Sequence, residues 1–216
     1  MTLPDNRQAL SKERIGQLLV RAYPDSLAEF DGENLRWRDG SVMPIASDKA
    51  ECAAVSSTDT PSIIAQFASP YPLHDDYVFA EHQSSDPGRA RNTPFFQRMY
   101  GADQAAVERN LVEIRWMPRL CNKRILVTRV NGVDRKLVQV SEELDRLPRS
   151  LRKYITHIGG SYNWRAIEGS DQLSPHAFGI AIDINVAYGN YWKWDLGIRG
   201  EKIFRNRIPR EIIETF

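Results

Sequence analysis

The chain has 216 residues, 42% of them hydrophobic and 26% charged, which is enough ordinary globular composition for one sizeable domain with an N-terminal extension. Lys and Arg number 29 against 28 Asp and Glu, and the resulting net charge of +1 argues against nucleic acid or an anionic membrane as partner. No apolar run approaches the ~20 residues a spanning helix needs, so no integral membrane segment is expected. Asp5, Lys12, Glu13 and Arg14 stand where a secretory leader would carry its apolar stretch, so no signal peptide is expected in the sequence shown.

In chain order, Leu10, Ile15, Leu18, Leu19 and Ala22 fall on one helical face, with Ser11 placed to cap it. Asp31-Gly32 and Asp39-Gly40 bracket Leu35–Arg38, a short hairpin with a turn at either end. Ala46 to Pro94 is rich in Ser, Asp and Pro, and reads as an irregular excursion carrying one short helix near Ser62–Phe67. His74 and His82 lie in its loops and read as surface residues. Pro94–Tyr100 predicts a short helix closed by Gly101. The domain boundary is expected near residue 104, with an N-terminal extension over 1–104 and the core over 105–216.

Asn110–Pro118 and Arg124–Val130 predict an antiparallel strand pair. Leu137, Val140, Leu144 and Leu147 then repeat at helical spacing, predicting a helix over Val133–Leu147 that Pro148 stops. Tyr154 to Arg165 runs through Gly159-Gly160 into an expected strand ending at Trp164-Arg165. Tyr188–Trp194 is an aromatic loop that covers the edge of the core or walls a peptide groove. At Pro209 a helix begins. It has scarcely formed when the sequence stops at Phe216, so a chain cut in mid-element is the expectation. Cys52 and Cys121 form no CxxC pair, which excludes a thiolate zinc site and leaves one disulfide or two buried thiols.

The chemistry concentrates in Leu173–Asn185. From Gly179 the residues alternate as in a strand: Ile180, Ile182 and Ile184 face one way, and Gly179, Ala181 and Asp183 the other. His176 approaches from the loop before it, and Gly179 lets the backbone bend toward the open face. A neutral imidazole and a carboxylate over small residues supply two of the three protein ligands of a catalytic zinc. On the residues alone, a capping Ser174, a hydrogen-bonded His176 and a strand-end Asp183 account for the same pattern.

Ser174-x-His176-x-x-Gly179-x-Ala181-x-Asp183 resembles the signature of the M15 zinc peptidases, the VanY-like D-Ala-D-Ala carboxypeptidases and L-Ala-D-Glu endopeptidases. Gly159–Arg165, with Tyr162-Asn163-Trp164-Arg165 at its end, is similar to the element that precedes the metal motif in one branch of that family. The resemblance covers roughly the second half of the chain. It implies an α+β fold of the M15 or hedgehog-like kind, a small, mainly antiparallel sheet with packed helices and a metal site at the sheet edge. It further implies Zn2+ held by His176 and Asp183, Arg165 as the catalytic residue that stabilises the oxyanion, and Ser174 bound to a substrate carboxylate or capping its loop. The implied substrate is the D-amino-acid-containing stem peptide of peptidoglycan, and the implied location is the cell envelope, periplasm or exterior. The family's third ligand, a His C-terminal to the Asp, and its general-base Glu have no counterpart here, so the sequence reads as a C-terminally truncated peptidase. His157 is a weaker third-ligand candidate. The rival reading is a non-catalytic cell-wall-peptide binding module or a degenerate peptidase; a plain interaction domain with a structural His176–Asp183 pair is a weaker third.

Overall fold

The computed structural model describes residues 10–46, 61–67, 91–189 and 207–216, and the chain divides into two compact units, Met1–Met99 and Tyr100–Phe216. Helices and small antiparallel sheets make it an α+β protein.

In the first unit the expected N-terminal helix is α1 (Lys12–Ala22), whose first turn is closed by Ser11 Oγ accepting from the Arg14 N–H. The expected hairpin extends to a three-stranded antiparallel meander, β1 (Leu27–Phe30), β2 (Asn34–Trp37) and β3 (Val42–Pro44). Its turns are set by aspartates: Asp31 Oδ1 accepts from the Glu33 and Asn34 N–H groups, and Asp39 Oδ1 from that of Ser41. Leu35 and Trp37 face inward from β2 and are buried with Ile15, Leu19, Leu27, Ile45 and Ile63. Phe95 of α2 (Thr93–Tyr100) joins them, its ring centroid 5.8 Å from that of Trp37. The short helix expected near Ser62–Phe67 is a 3-10 turn over Ile64–Phe67. His74, His82 and Cys52 lie outside the described residues.

The second unit starts with a short helix the sequence reading did not anticipate, α3 (Gln104–Glu108), capped by Asp103. The strand pair follows as expected, β4 (Leu111–Trp116) against β5 (Lys123–Thr128), in register from Leu111↔Thr128 to Trp116↔Lys123. The next helix, α4 (Val133–Leu144), ends three residues before the expected Leu147. Its last polar side chains serve the β4–β5 connection instead of continuing a helical face. Ser141 Oγ accepts from the Met117 N–H at 2.6 Å, and Asp145 Oδ2 from the Arg119 N–H at 2.9 Å. Both residues are buried, so these bonds satisfy amides that would otherwise be orphaned. Trp116, Met117, Ile125, Val127, Leu144 and Ile155 form the core, and Ile212 of α5 (Arg210–Ile213) is fully buried in it. Cys121 Sγ donates to the Trp116 carbonyl at 3.5 Å.

Two expected strands are absent from the described residues. Tyr154–Arg165 and Gly179–Asn185 meet only at an isolated antiparallel bridge, Gly160↔Asp183, with a second bridge at Ala166↔Leu173. Gly179 takes φ 67°, which breaks the extended run at its first residue. The alternation of side chains survives without a ladder: Ile182 and Ile184 pack on the core while Asp183 turns outward.

Candidate functional site

Ser174 stands at the head of a 3-10 turn, Pro175–Phe178, and its Oγ accepts from the His176 N–H at 3.3 Å. It is 4% exposed, so its side chain shapes the loop rather than facing the cleft. Gly179 closes the turn. Its carbonyl accepts from the Thr128 N–H at 3.0 Å, docking the loop on the last residue of β5. A Cβ at this position would sit 2.6 Å from Leu111 Cδ2, so both the backbone angle and the space require glycine.

A second segment lies alongside the turn and is clipped to it at four points. The Gly159 N–H donates to the Asp183 carbonyl at 2.7 Å, and the Asp183 N–H to the Gly160 carbonyl at 2.9 Å. The Asn163 N–H donates to the His176 carbonyl at 3.1 Å, and the Ser174 N–H to the Arg165 carbonyl at 3.0 Å. Gly159 permits the closest approach, since a Cβ there would meet Asp183 Cβ and Val186 Cγ1 at 3.1 Å each. The two elements singled out in the sequence are therefore the two walls of one structure.

Between them opens a cleft of about 380 Å³ bordered by Gly159–Asn163, Arg165, His176 and Asp183. Asp183 also borders a second depression of about 320 Å³, walled by Ile182, Ile184, Val186 and Ile208. Arg165 is exposed, and its guanidinium donates to the Ala166 carbonyl at 3.3 Å. The Tyr162 hydroxyl donates to Glu108 Oε1 at 2.9 Å, and partial burial together with this carboxylate pushes its pKa up to about 12.

The electrostatics of the His176–Asp183 pair follow from one hydrogen bond. His176 Nδ1 lies 2.6 Å from the Ser161 carbonyl, which has no proton to give, so the ring must donate there. In the neutral imidazole Nε2 is then a bare lone pair, and it faces Asp183 Oδ1 at 3.3 Å. Two acceptors so placed repel unless a positive charge lies between them, either the proton of an imidazolium or a metal ion. The donor set fits a divalent cation: an imidazole oriented through its other nitrogen by a backbone carbonyl, and a half-exposed carboxylate. Among the described residues no third His, Cys, Asp or Glu joins the pair. His157 is exposed, with Nδ1 against Thr156 Oγ1, and does not border the cleft.

This geometry gives the sequence comparisons their meaning. Residues 168–216 match a family model of M15 peptidases described as D-alanyl-D-alanine carboxypeptidase. The match takes in Ser174, His176 and Asp183 and supports a link to the M15 family; Tyr162–Arg165 lies upstream of it. No curated protein and no solved structure matches the chain.

The structure thus brings His176, Asp183 and Arg165 to one cleft and sets Ser174 behind it. Sequence reasoning missed the Ser161 carbonyl that fixes the histidine and the Glu108 that holds Tyr162. The first carries no side-chain signal, and the second lies 54 positions from its partner.

Proposed function

We propose that this chain is a zinc-dependent peptidase of the M15 type that cleaves D-amino-acid-containing stem peptides of peptidoglycan, with His176 and Asp183 as two of the metal's ligands. The observation that carries the reading is the His176–Asp183 pair, two acceptors 3.3 Å apart in a cleft, inside the segment that matches the carboxypeptidase family. Zinc in such a site supplies Lewis acidity and lowers the pKa of bound water toward ~7.

The chain's own residues divide the remaining work. The Ser161 carbonyl holds the proton on Nδ1 and so keeps Nε2 free to bind. Ser174 acts by fixing the turn that carries His176, and a direct bond to the substrate carboxylate is not assigned to it. Arg165 reaches the same cleft with its guanidinium exposed, placed to stabilise negative charge that develops on the scissile carbonyl, an effect typically worth ~2.7–4 kcal/mol per donor. Beyond Asp183 the aliphatic walls at Val186 and Ile208 suit a small apolar side chain such as the methyl of alanine. The assignment covers two ligand positions and the oxyanion donor; it names no residue as general base. The N-terminal unit is assigned the role of an extension, with 105–216 as the peptidase core. A peptidoglycan substrate places the protein in the cell envelope or outside the cell, and among the described residues no helix is long and apolar enough to cross a membrane.

The test is metal content by mass spectrometry, followed by hydrolysis of a D-Ala-D-Ala-terminated peptide. About one zinc per chain, lost in Asp183→Ala, is expected. Stoichiometric zinc retained in Asp183→Ala would refute the ligand assignment. Zinc and peptide binding without hydrolysis would instead favour a wall-peptide binding module.

A further inference from the structure

The account of the cleft so far makes no use of α3, although this helix packs against the turn that carries His176. It is only five residues long, but it is firmly placed: Asp103 Oδ1 caps it, accepting from the Ala106 N–H at 2.7 Å, and Val107 is fully buried. Its last residue, Glu108, is exposed, and its Oε1 accepts from both Tyr162 Oη at 2.9 Å and Gln104 Nε2 at 2.8 Å.

Tyr162 follows Ser161 directly, so one peptide plane contains both the Ser161 carbonyl and the Tyr162 nitrogen. That carbonyl is the acceptor for His176 Nδ1. Upstream, Gly159 and Gly160 impose the least backbone restraint of any residues, so the plane's orientation must be set from elsewhere. Downstream, the Asn163 N–H is bonded to the His176 carbonyl. The Tyr162 side chain is a rigid strut with two rotatable bonds, and Glu108 holds its far end through a charge-assisted hydrogen bond.

We propose that Glu108 is a positioning residue for His176: through the Tyr162 hydroxyl it fixes the peptide unit whose carbonyl selects the Nδ1–H tautomer and leaves Nε2 facing Asp183. The functional meaning of this rests on His176 being a metal ligand, but the geometric claim does not.

The experiment is 15N NMR of the histidine ring nitrogens in the metal-free full chain, with His176 assigned by comparison with His176→Gln, followed by zinc titration. In the parent protein, above the ring's pKa, His176 is expected to be in the Nδ1–H tautomer. Glu108→Ala and Tyr162→Phe should each give a mixture of tautomers. Where zinc binds, each should weaken it about tenfold, the lower range for loss of an outer hydrogen-bonding partner of a metal ligand. The double variant should show little further change, because both substitutions break one strut. Glu108→Gln, which keeps an acceptor, should restore the parent tautomer. Gln104→Ala removes the other bond to the same carboxylate oxygen and should leave the ring signals unchanged. Parent-like ring signals in both Glu108→Ala and Tyr162→Phe would overturn the proposal. So would a shift of equal size in Gln104→Ala, since the effect would then belong to α3 as a whole. If zinc fails to bind the parent, the metal reading falls while the tautomer measurement still decides the role of Glu108.

Discussion

The β1–β3 meander and the walls of the cleft are built on opposite plans. In the meander, hydrogen bonds run in a regular ladder, aspartates set the turns, and a buried Trp37 and Leu35 hold the sheet to its helices. In the cleft, two segments with almost no regular structure are joined by single backbone bonds and by side chains that cap or clip the main chain. A ladder uses the N–H and C=O groups along both neighbouring edges, so few are left to orient a functional group. Irregular chain leaves carbonyls such as that of Ser161 free to aim a histidine, and then depends on glycines and caps to keep its shape.

The contrast predicts that apolar truncation damages the meander most and backbone constraint damages the cleft most. Trp37→Ala should have the largest effect, about 3–5 kcal/mol lost from the first unit, seen as faster amide exchange across β1–β3. Unchanged exchange there would mean the ladder, not the packing, holds the sheet. Gly179→Ala should cost about 2–4 kcal/mol, from left-handed backbone strain together with overlap against Leu111 and the Thr128 amide. Its signature is loss of protection at Thr128 and near Asp183, with β1–β3 untouched. Ser174→Ala should cost about 1 kcal/mol in denaturant unfolding, the usual value of a lost cap. A much larger loss would reveal a further role for the buried hydroxyl.

The smallest effect sharpens the comparison by pH. Tyr162 is held neutral by partial burial and the Glu108 carboxylate, with its pKa pushed from 10.0 to about 12. Its folded pKa therefore lies above its unfolded one. The contribution is complete below pH 10 and fades as pH rises through about 12. Ultraviolet titration should show one tyrosine ionising late, and Glu108→Gln should bring it back toward its ordinary range.

Much of the fold was legible because its signals are local. Ser11, Asp31 and Asp39 announce a cap and two turns through their own side chains, and the β4–β5 pair and α4 show their spacing directly. The errors were all places where a distant partner decided the outcome. The helix α4 stops early because Ser141 and Asp145 are taken up by the amides of Met117 and Arg119. The strand expected at Gly179–Asn185 lacks a partner edge along its length and pairs at one residue.

The site divides in the same way. Sequence alone determined the chemical types that matter, an imidazole, a carboxylate and a guanidinium at fixed spacing with glycines beside them, because side-chain identity is what a sequence encodes. Only the tertiary structure decided that His176 donates from Nδ1, that its Nε2 faces Asp183, and that Glu108 anchors the tyrosine beside them. These depend on a backbone carbonyl, which every residue possesses alike, and on contacts 15 and 54 positions apart, which form only when the chain closes on itself.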